Sequence, residues 1–372
     1  MIKLKVLHII KSLGRGGAEM LLPETLALHD KGLYEFHYVY FLPWKNQMVS
    51  EIEVQGGRVT CFSAKNNLHL MQKMGLIKRY IRDHNIDLVH AHLPWAGFLA
   101  RFAVNKGKYA LFYTEHNKQE RYHWLTALLN RYTFNRQSLV IAVSMDVKES
   151  IQNNISPSIP VRPLLNGVNT AKFSRDVKSG QRIRRENGIP ADAIVVGTIS
   201  VFRSQKRLKE WVNVFNSALA SRPSLFGVIV GDGPLNSEIV EEISRLELEG
   251  RILLPGLQTN TVEWLSCMDI FMMTSQFEGL PIALLEAMSC ECAIVSTDAG
   301  GIKEVIPGIE CGGVLRNVED YQLLSEDLLR LSSNFHEIRE LGEKARKRVV
   351  KQFSLKRMVA QLENLYSEYT FN

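Results

Sequence analysis

The chain has 372 residues, 45% hydrophobic and 23% charged, which is too long for one ordinary core and typical of a globular protein, so two domains are expected. No apolar run reaches the roughly 18–20 residues that cross a bilayer, and five cysteines without CxxC spacing (Cys61, Cys267, Cys290, Cys292, Cys311) argue for free thiols in a reducing, cytoplasmic compartment and against a zinc site. The net charge of +6 is uneven: residues 1–165 carry 21 Lys and Arg against 12 Asp and Glu, the remainder 24 against 27, so the halves suit different partners, and charge alone leaves nucleic acid and an anionic membrane surface open.

The opening Met1–Ile10 has a short apolar core but no small-residue cleavage site and reads as a first buried strand. Strands are predicted at Lys5–Ile10, His37–Leu42, Arg58–Phe62, Leu88–His92, Ala110–Thr114 and Leu139–Val143, with helical patterns at Ala18–Leu28, Leu70–Arg82 and Tyr122–Asn135 between them. Beyond a stretch at Asn166–Asp192 that is rich in Gly, Asn, Ser and charge, strands recur at Ile194–Ile199, Phe226–Val230, Arg251–Leu254, Ile270–Thr274, Ala293–Ser296 and Gly313–Leu315. Helices accompany them at Leu208–Leu219, Leu235–Leu246, Val262–Met268 and Pro281–Met288, and three more helical patterns close the chain, the last over Leu355–Tyr369. Fully apolar strands alternating with helices mean parallel sheets covered on both faces, and two such blocks mean two doubly wound domains.

Several turns carry polar chemistry. Gly14-Arg15-Gly16-Gly17-Ala18-Glu19 follows the first strand, where glycines allow close backbone approach and a helix start offers donors to an anion; an ordinary strand–helix turn reads the same way. Glu19 breaks the dinucleotide fingerprint there, as Asn236 does in Gly231-Asp232-Gly233-Pro234-Leu235. His92 and His116 end two strands and suit hydrogen bonds to a sugar or phosphate, or a structural role, which is the reading preferred for His90. No Asp-x-Asp pair and no metal-spaced His, Cys or Glu cluster occurs, so no essential metal is expected. Arg121–Arg136 interleaves Arg121, Arg131 and Arg136 with Tyr122, Trp124, Leu125, Leu128, Leu129, Tyr132 and Phe134; it suits an anionic membrane face, or packing on its own sheet. Arg203-Ser204-Gln205-Lys206-Arg207 follows a strand whose carboxyl end faces a ligand crevice, where cations bind a diphosphate or form a solvated basic turn.

The most informative segment is Phe277–Met288. Glu286 stands in an apolar helix among Ile282, Ala283, Leu284, Leu285, Ala287 and Met288, so it requires a partner. Glu278 and Gly279 precede that helix and Pro281 suits its first turn. Two acidic side chains eight residues apart, bracketing an anion-friendly helix start, suit a ligand with both hydroxyls and phosphates; a Glu satisfied by an Arg or by backbone amides is the alternative.

Together these residues resemble the retaining glycosyltransferases of family 4, with the GT-B fold, over nearly the whole length. Phe277–Met288 resembles the E-x7-E motif, Thr297-Asp298-Ala299-Gly300-Gly301-Ile302-Lys303-Glu304 the T-D-x-G-G-x-x-E segment, Asn166-Gly167-Val168-Asn169 the N-G-V-D, Gly231–Leu235 the G-D-G-P-L, and Gly16-Gly17-Ala18-Glu19 the G-G-A-E of one large branch. The resemblance implies two Rossmann-like doubly wound domains facing across a cleft. Residues 1–168 would form an acceptor-side domain and 169–354 a nucleotide-sugar domain, with the closing helix 355–372 packing back on the first. It implies Glu278, His116, Lys206 and Arg203 at the reacting centre, Lys206 on the diphosphate and Glu286 on the ribose diol. Donor contacts would come from Gly279, Leu280, Pro281, Gly256, Leu257, Gly231, Gly16 and Gly17, and acceptor contacts from Glu19, His92 and Asn117. One departure is Val201, where the family commonly carries an arginine; Arg203 is the nearby candidate to replace it.

The activity so implied is retaining transfer of a hexose or N-acetylhexosamine from a nucleoside diphosphate sugar, with UDP expected. The acceptor would be a glycan or lipid-diphosphate-linked molecule of surface polysaccharide synthesis, with no cofactor beyond the co-substrate and no nucleic acid. The basic first domain suits the inner membrane face. Rivals are a sugar-nucleotide 2-epimerase of the same plan, a nicotinamide-dependent dehydrogenase disfavoured by both failed glycine patterns, and a non-enzymatic membrane- or nucleic-acid-binding module that leaves Glu278 and Glu286 idle.

Overall fold

The computed structural model describes residues 3–370; residues 1–2 and 371–372 of the predicted first domain and closing segment lie outside the described residues. The chain forms two compact units. One runs to Asn166 and resumes at Leu355; the other is Gly167–Ser354.

The first unit is a seven-stranded parallel sheet, ordered β3-β2-β1-β4-β5-β6-β7. Its strands are β1 (Leu4–Ile9), β2 (Tyr34–Tyr40), β3 (Arg58–Cys61), β4 (Leu88–His92), β5 (Ala110–Glu115), β6 (Leu139–Ala142) and β7 (Val161–Pro163). Side chains alternate between faces, so Leu7, Ile9, Val89, Ala91, Leu111 and Tyr113 enter one buried core while Leu4, Val6, Leu88, Phe112 and Ile141 enter the other. Both faces being covered is why the strands read as continuous apolar runs. β7 was not predicted: it is three residues long, and its Pro163 is tolerated because β7 is an edge strand.

The second unit repeats the pattern in a six-stranded parallel sheet, β10-β9-β8-β11-β12-β13. Its strands are β8 (Ile194–Val201), β9 (Leu225–Asp232), β10 (Ile252–Gly256), β11 (Ile270–Met273), β12 (Ala293–Thr297) and β13 (Gly313–Arg316). In each unit the strand order reverses direction once, between β1 and β4 and between β8 and β11. Ligands of open α/β sheets bind at the carboxyl ends of strands beside such a switch point.

One predicted helix is divided in the structure, and one helix forms where none is predicted. Leu70–Arg82 is two helices, Asn67–Met71 and Met74–Asp83, because the Asn66 side chain accepts from His69 N and starts the chain into a helix early. The low-apolarity stretch Asn166–Asp192 contains the helix Val177–Glu186, which buries only Gly180 and Ile183. A Cβ at Gly180 would come within 2.3 Å of the Ser266 carbonyl oxygen, so glycine lets this helix press on Thr261–Cys267 with little apolar surface.

The helix Leu355–Thr370 packs on the first unit's sheet through Leu362 and the fully buried Tyr366. The Tyr366 hydroxyl bonds Nδ1 of His90 at 2.7 Å, and Glu363 Oε1 bonds Nδ1 of His29 at 2.9 Å. Tyr366→Ala removes a buried aromatic ring and strands a buried imidazole. Urea unfolding is expected to show a loss of about 3–5 kcal/mol, and a loss below about 1 kcal/mol would mean that this helix is only loosely docked.

Candidate functional site

In the second unit the loops after β8, β11 and β12 are stitched to one another at the switch point. Gln276 N donates to the Gln205 carbonyl at 2.8 Å, Thr274 Oγ1 to the Arg207 carbonyl at 2.8 Å and Thr297 Oγ1 to the Ser275 carbonyl at 2.7 Å. Gly301 N donates to the Gly279 carbonyl at 2.9 Å, which ties the T-D-x-G-G-like turn to the start of the acidic segment. On this frame Lys206 Nζ lies 2.5 Å from Glu278 Oε1, which also accepts from Ser275 Oγ at 2.7 Å. Glu278 is buried, and the pair leaves a cation and a carboxylate side by side at the carboxyl ends of β8 and β11. Thr297 opens the T-D-x-G-G-like segment, whereas the roles of the Ser275 and Thr274 hydroxyls carry no signal in the sequence, since a hydroxyl between apolar strands has no periodicity.

Of the other predicted cations, Arg203 is exposed just ahead of the short turn Ser204–Lys206. Arg207 donates instead to the Val318 carbonyl at 2.9 Å and stacks over Tyr321. Glu286 is buried one turn into the helix Ile282–Ser289, of which Leu284 to Ser289 are all buried. Pro281 stands at the N-cap rather than within the first turn, with Leu280 buried beside it. Gly256 ends β10 and Leu257 after it is 63% exposed. Gly231 has φ +134°, and a Cβ there would meet the Ser200 carbonyl oxygen at 1.9 Å, so its glycine is required by strand packing whatever binds nearby.

In the first unit the site residues expected from the sequence fall into two groups. Gly16 caps the helix Gly17–Leu28, and Glu19 folds back against Gly16 while accepting from Ser12 Oγ at 2.9 Å. His92 is buried, its Nε2 bonded to Nδ1 of His8 at 2.9 Å. His90 bonds both Tyr366 and Thr114 Oγ1, as its structural reading requires. Sequence spacing shows no metal cluster, yet the fold gathers His8, His90 and His92 so that one ligand atom of each lies within 4.8 Å of the others. His8 is 84 positions from the His92 it bonds, which spacing cannot reveal. These histidines spend ring nitrogens on hydrogen bonds, the ordinary state of buried polar groups.

His116 and Asn117 follow β5 and are held by a residue the sequence reading passed over. Glu115, fully buried, accepts from the backbone N–H of His116 at 3.0 Å and of Asn117 at 3.3 Å. It also accepts from the Tyr113 hydroxyl at 3.0 Å, from Gln119 Nε2 at 2.7 Å and from the Tyr122 hydroxyl. Burial pushes its carboxyl up, and these donors oppose that. Nε2 of His116 is buried without a protein partner among the described residues, and it lines a small cavity with His92 and Asn166.

Two family models match the chain: "Glycosyltransferase Family 4" over residues 23–172 and "Glycosyl transferases group 1" over residues 179–348. The chain is 28% identical over 308 residues to the N-acetyl-alpha-D-glucosaminyl L-malate synthase of Bacillus anthracis, covering 81% of this chain and 78% of that one. It is 23% identical over 323 residues to the UDP-Gal:alpha-D-GlcNAc-diphosphoundecaprenol alpha-1,3-galactosyltransferase of Escherichia coli, covering 82% of each. The crystal structure of HepE from Anabaena in complex with UDP-glucose matches with a TM-score of 0.87 at 21% identity, over 98% of this chain and 100% of that one. That likeness shows the fold, two Rossmann-like domains of the GT-B type.

The buried histidines have a consequence for pH. Burial lowers His116 to about 4 and His90 to about 3, and holds His8 and His92 well below the usual imidazole range. Between the ordinary value near 6.5 and these lowered values the unfolded chain binds more protons than the folded one, so stability falls as pH falls through that window. From pH 7 to pH 5 the loss is about 2 kcal/mol for His116 alone. Nine of the ten histidines lie between residues 8 and 123, in the first unit. Hydrogen exchange at pH 5 is expected to show β1, β4 and β5 losing protection before β8, β11 and β12; the reverse order would contradict this account.

Proposed function

This chain belongs to glycosyltransferase family 4, and from that premise we propose that it is a retaining enzyme which moves a hexose or N-acetylhexosamine from a UDP-sugar to a glycan or lipid-linked acceptor in surface polysaccharide synthesis. The observation that carries the reading is the Lys206–Glu278 pair at the switch point of the second unit's sheet. A diphosphate arriving there meets an ammonium already held in place, which favours the charge that grows on the leaving group without reorganisation. Glu278, so close to that cation, is suited to hold hydroxyls of the donor sugar, and the buried Glu286 to hold the ribose diol. In this mechanism the bond from the anomeric carbon to the diphosphate oxygen breaks while the acceptor hydroxyl oxygen bonds the same face. The hydroxyl proton passes to the departing phosphate. His116, uncharged at neutral pH because burial lowers it, is suited to accept a hydrogen bond from a sugar hydroxyl. Lys206 and backbone amides of Gly279 and Leu280 take the role that a metal fills in other transferases.

The acceptors in the names of the two relatives are both anionic, a malate and a diphospho-lipid conjugate, which supports a negatively charged acceptor here. A membrane-borne one is favoured by the helix Trp124–Thr133, whose amphipathicity is inverted. Its inward residues Asn130 and Thr133 bond the buried Arg101 at 2.9 and 3.1 Å. Outward stand Trp124 (68% exposed), Leu125, Leu128 and Tyr132 (79% exposed), beside the exposed Arg121, Arg131 and Arg136. No helix among the described residues is long and apolar enough to cross a membrane, but aromatic and cationic side chains together suit an anionic bilayer surface.

Two experiments test this. Calorimetric titration with UDP is expected to bind the wild-type chain and to weaken about tenfold or more in Lys206→Ala and in Glu286→Ala; unchanged affinity in both would remove the donor assignment. Flotation with phosphatidylglycerol vesicles at low salt is expected to carry the chain upward and to be lost at high salt or in a Trp124→Ala/Tyr132→Ala variant. Equal flotation by wild type and variant would exclude this helix as the contact.

A further inference from the structure

Lysines 11 and 45 are the feature of the first unit that the donor site, the histidines and the Trp124–Thr133 helix leave unexplained. They lie where the segments leaving β1, β2 and β3 converge at the carboxyl edge of the sheet. Leu13 N donates to the Lys45 carbonyl at 2.9 Å, and Met48 N to the Leu13 carbonyl at 2.9 Å, so the two loops are locked together. The Lys45 stem lies over the glycine turn: a Cβ at Gly14 would be 3.7 Å from Lys45 Cβ and 3.8 Å from its Cδ. Lys11 Nζ donates to Asn67 Oδ1, at the far end of the β3 connection, at 2.7 Å.

The arrangement is electrostatically unfavourable in the free protein. Lys11 is partly buried, and burial together with the charge of Lys45 lowers its ammonium below the usual lysine range. Neither lysine is ion-paired among the described residues. The carboxylate of Glu19, at the end of the glycine turn, is engaged by Ser12. Two like charges held on interlocked loops, one partly desolvated, with Asn67 fixing one of them, form a receptor for a multiply charged anion.

We propose that Lys11 and Lys45 form a phosphate-binding subsite for the acceptor, taking the phosphate or diphosphate that the acceptor carries. This rests on the transferase reading and deepens it by naming the acceptor's recognised group. The exposed Trp44, 57% accessible beside Lys45, offers an apolar face for whatever that phosphate is attached to.

The test uses the Lys206→Ala chain, in which the second unit has lost its diphosphate cation, titrated calorimetrically with inorganic pyrophosphate and with geranyl diphosphate. Binding of pyrophosphate is expected, weakened about tenfold by adding Lys45→Ala and abolished by adding Lys11→Ala as well. Because Lys45→Ala relieves like-charge repulsion at an exposed position, its melting temperature is expected to equal or exceed that of the parent, which sets lost binding apart from lost folding. Geranyl diphosphate held more tightly than pyrophosphate identifies a lipid-borne phosphate. Equal affinity identifies a phosphate on a soluble acceptor; either supports the subsite. Pyrophosphate affinity that is the same with and without both lysines overturns it. UDP binding by the wild-type chain reads the donor site separately, so either assignment can fail alone.

Discussion

The opposed charges of Lys206 and Glu278, 2.5 Å apart and 72 residues apart in sequence, are the constraint around which the second unit is arranged. Glu278 is buried and Lys206 partly so, and without the ammonium the carboxylate would be left in an apolar setting with one fewer partner. The pair therefore has to be positioned by backbone that cannot drift. The cross-links among the loops after β8, β11 and β12 do this, through Gln276 on Gln205, Thr274 on Arg207, Thr297 on Ser275 and Gly301 on Gly279. They in turn depend on strand order, since only where the sheet reverses direction do the loops after β8 and β11 open side by side.

The first unit meets the same topological condition with different chemistry. Its switch-point strands carry His8, His90 and His92, kept uncharged by burial and bound to one another, to Thr114 and to Tyr366 of the closing helix. The fold thus secures its last helix with hydrogen bonds to histidine as well as with apolar surface. Glu115 does the equivalent for the loop bearing His116 and Asn117, collecting five donors on one carboxylate. Both arrangements hold polar groups rigid in an apolar setting, and for the histidines, whose burial lowers them, the cost rises on acidification.

The helix Trp124–Thr133 and the Lys11–Lys45 pair are departures from what a monomer in water would select. The helix faces Asn130 and Thr133 inward because Arg101, buried and stacked between Tyr113 and Phe134, requires oxygen acceptors; its apolar residues are left on the outside. The lysines retain mutual repulsion on loops that are otherwise well bonded. Unfavourable features of this kind concentrate at functional surfaces.

Sequence alone determined the class of fold and the strand positions closely. A strand covered on both faces is mostly apolar and a helix covered on one face repeats its apolar residues every three to four, so the strand Leu88–His92 and the helix Leu208–Leu219 have the same limits in sequence and structure. It also marked Glu278, Glu286 and Lys206 as residues with chemistry, because a carboxylate in an apolar helix and cations after a strand need a reason. Only tertiary structure decided which of these meet: that Lys206 and not Arg203 or Arg207 pairs with Glu278, that Ser275 joins them, that the distant His8 joins His90 and His92, and that Tyr122 turns inward to Glu115 while Trp124 faces out. Periodicity records which residues are buried together along one element. Contacts between elements depend on strand order and on loop hydrogen bonds, and those are settled only when the sheet closes.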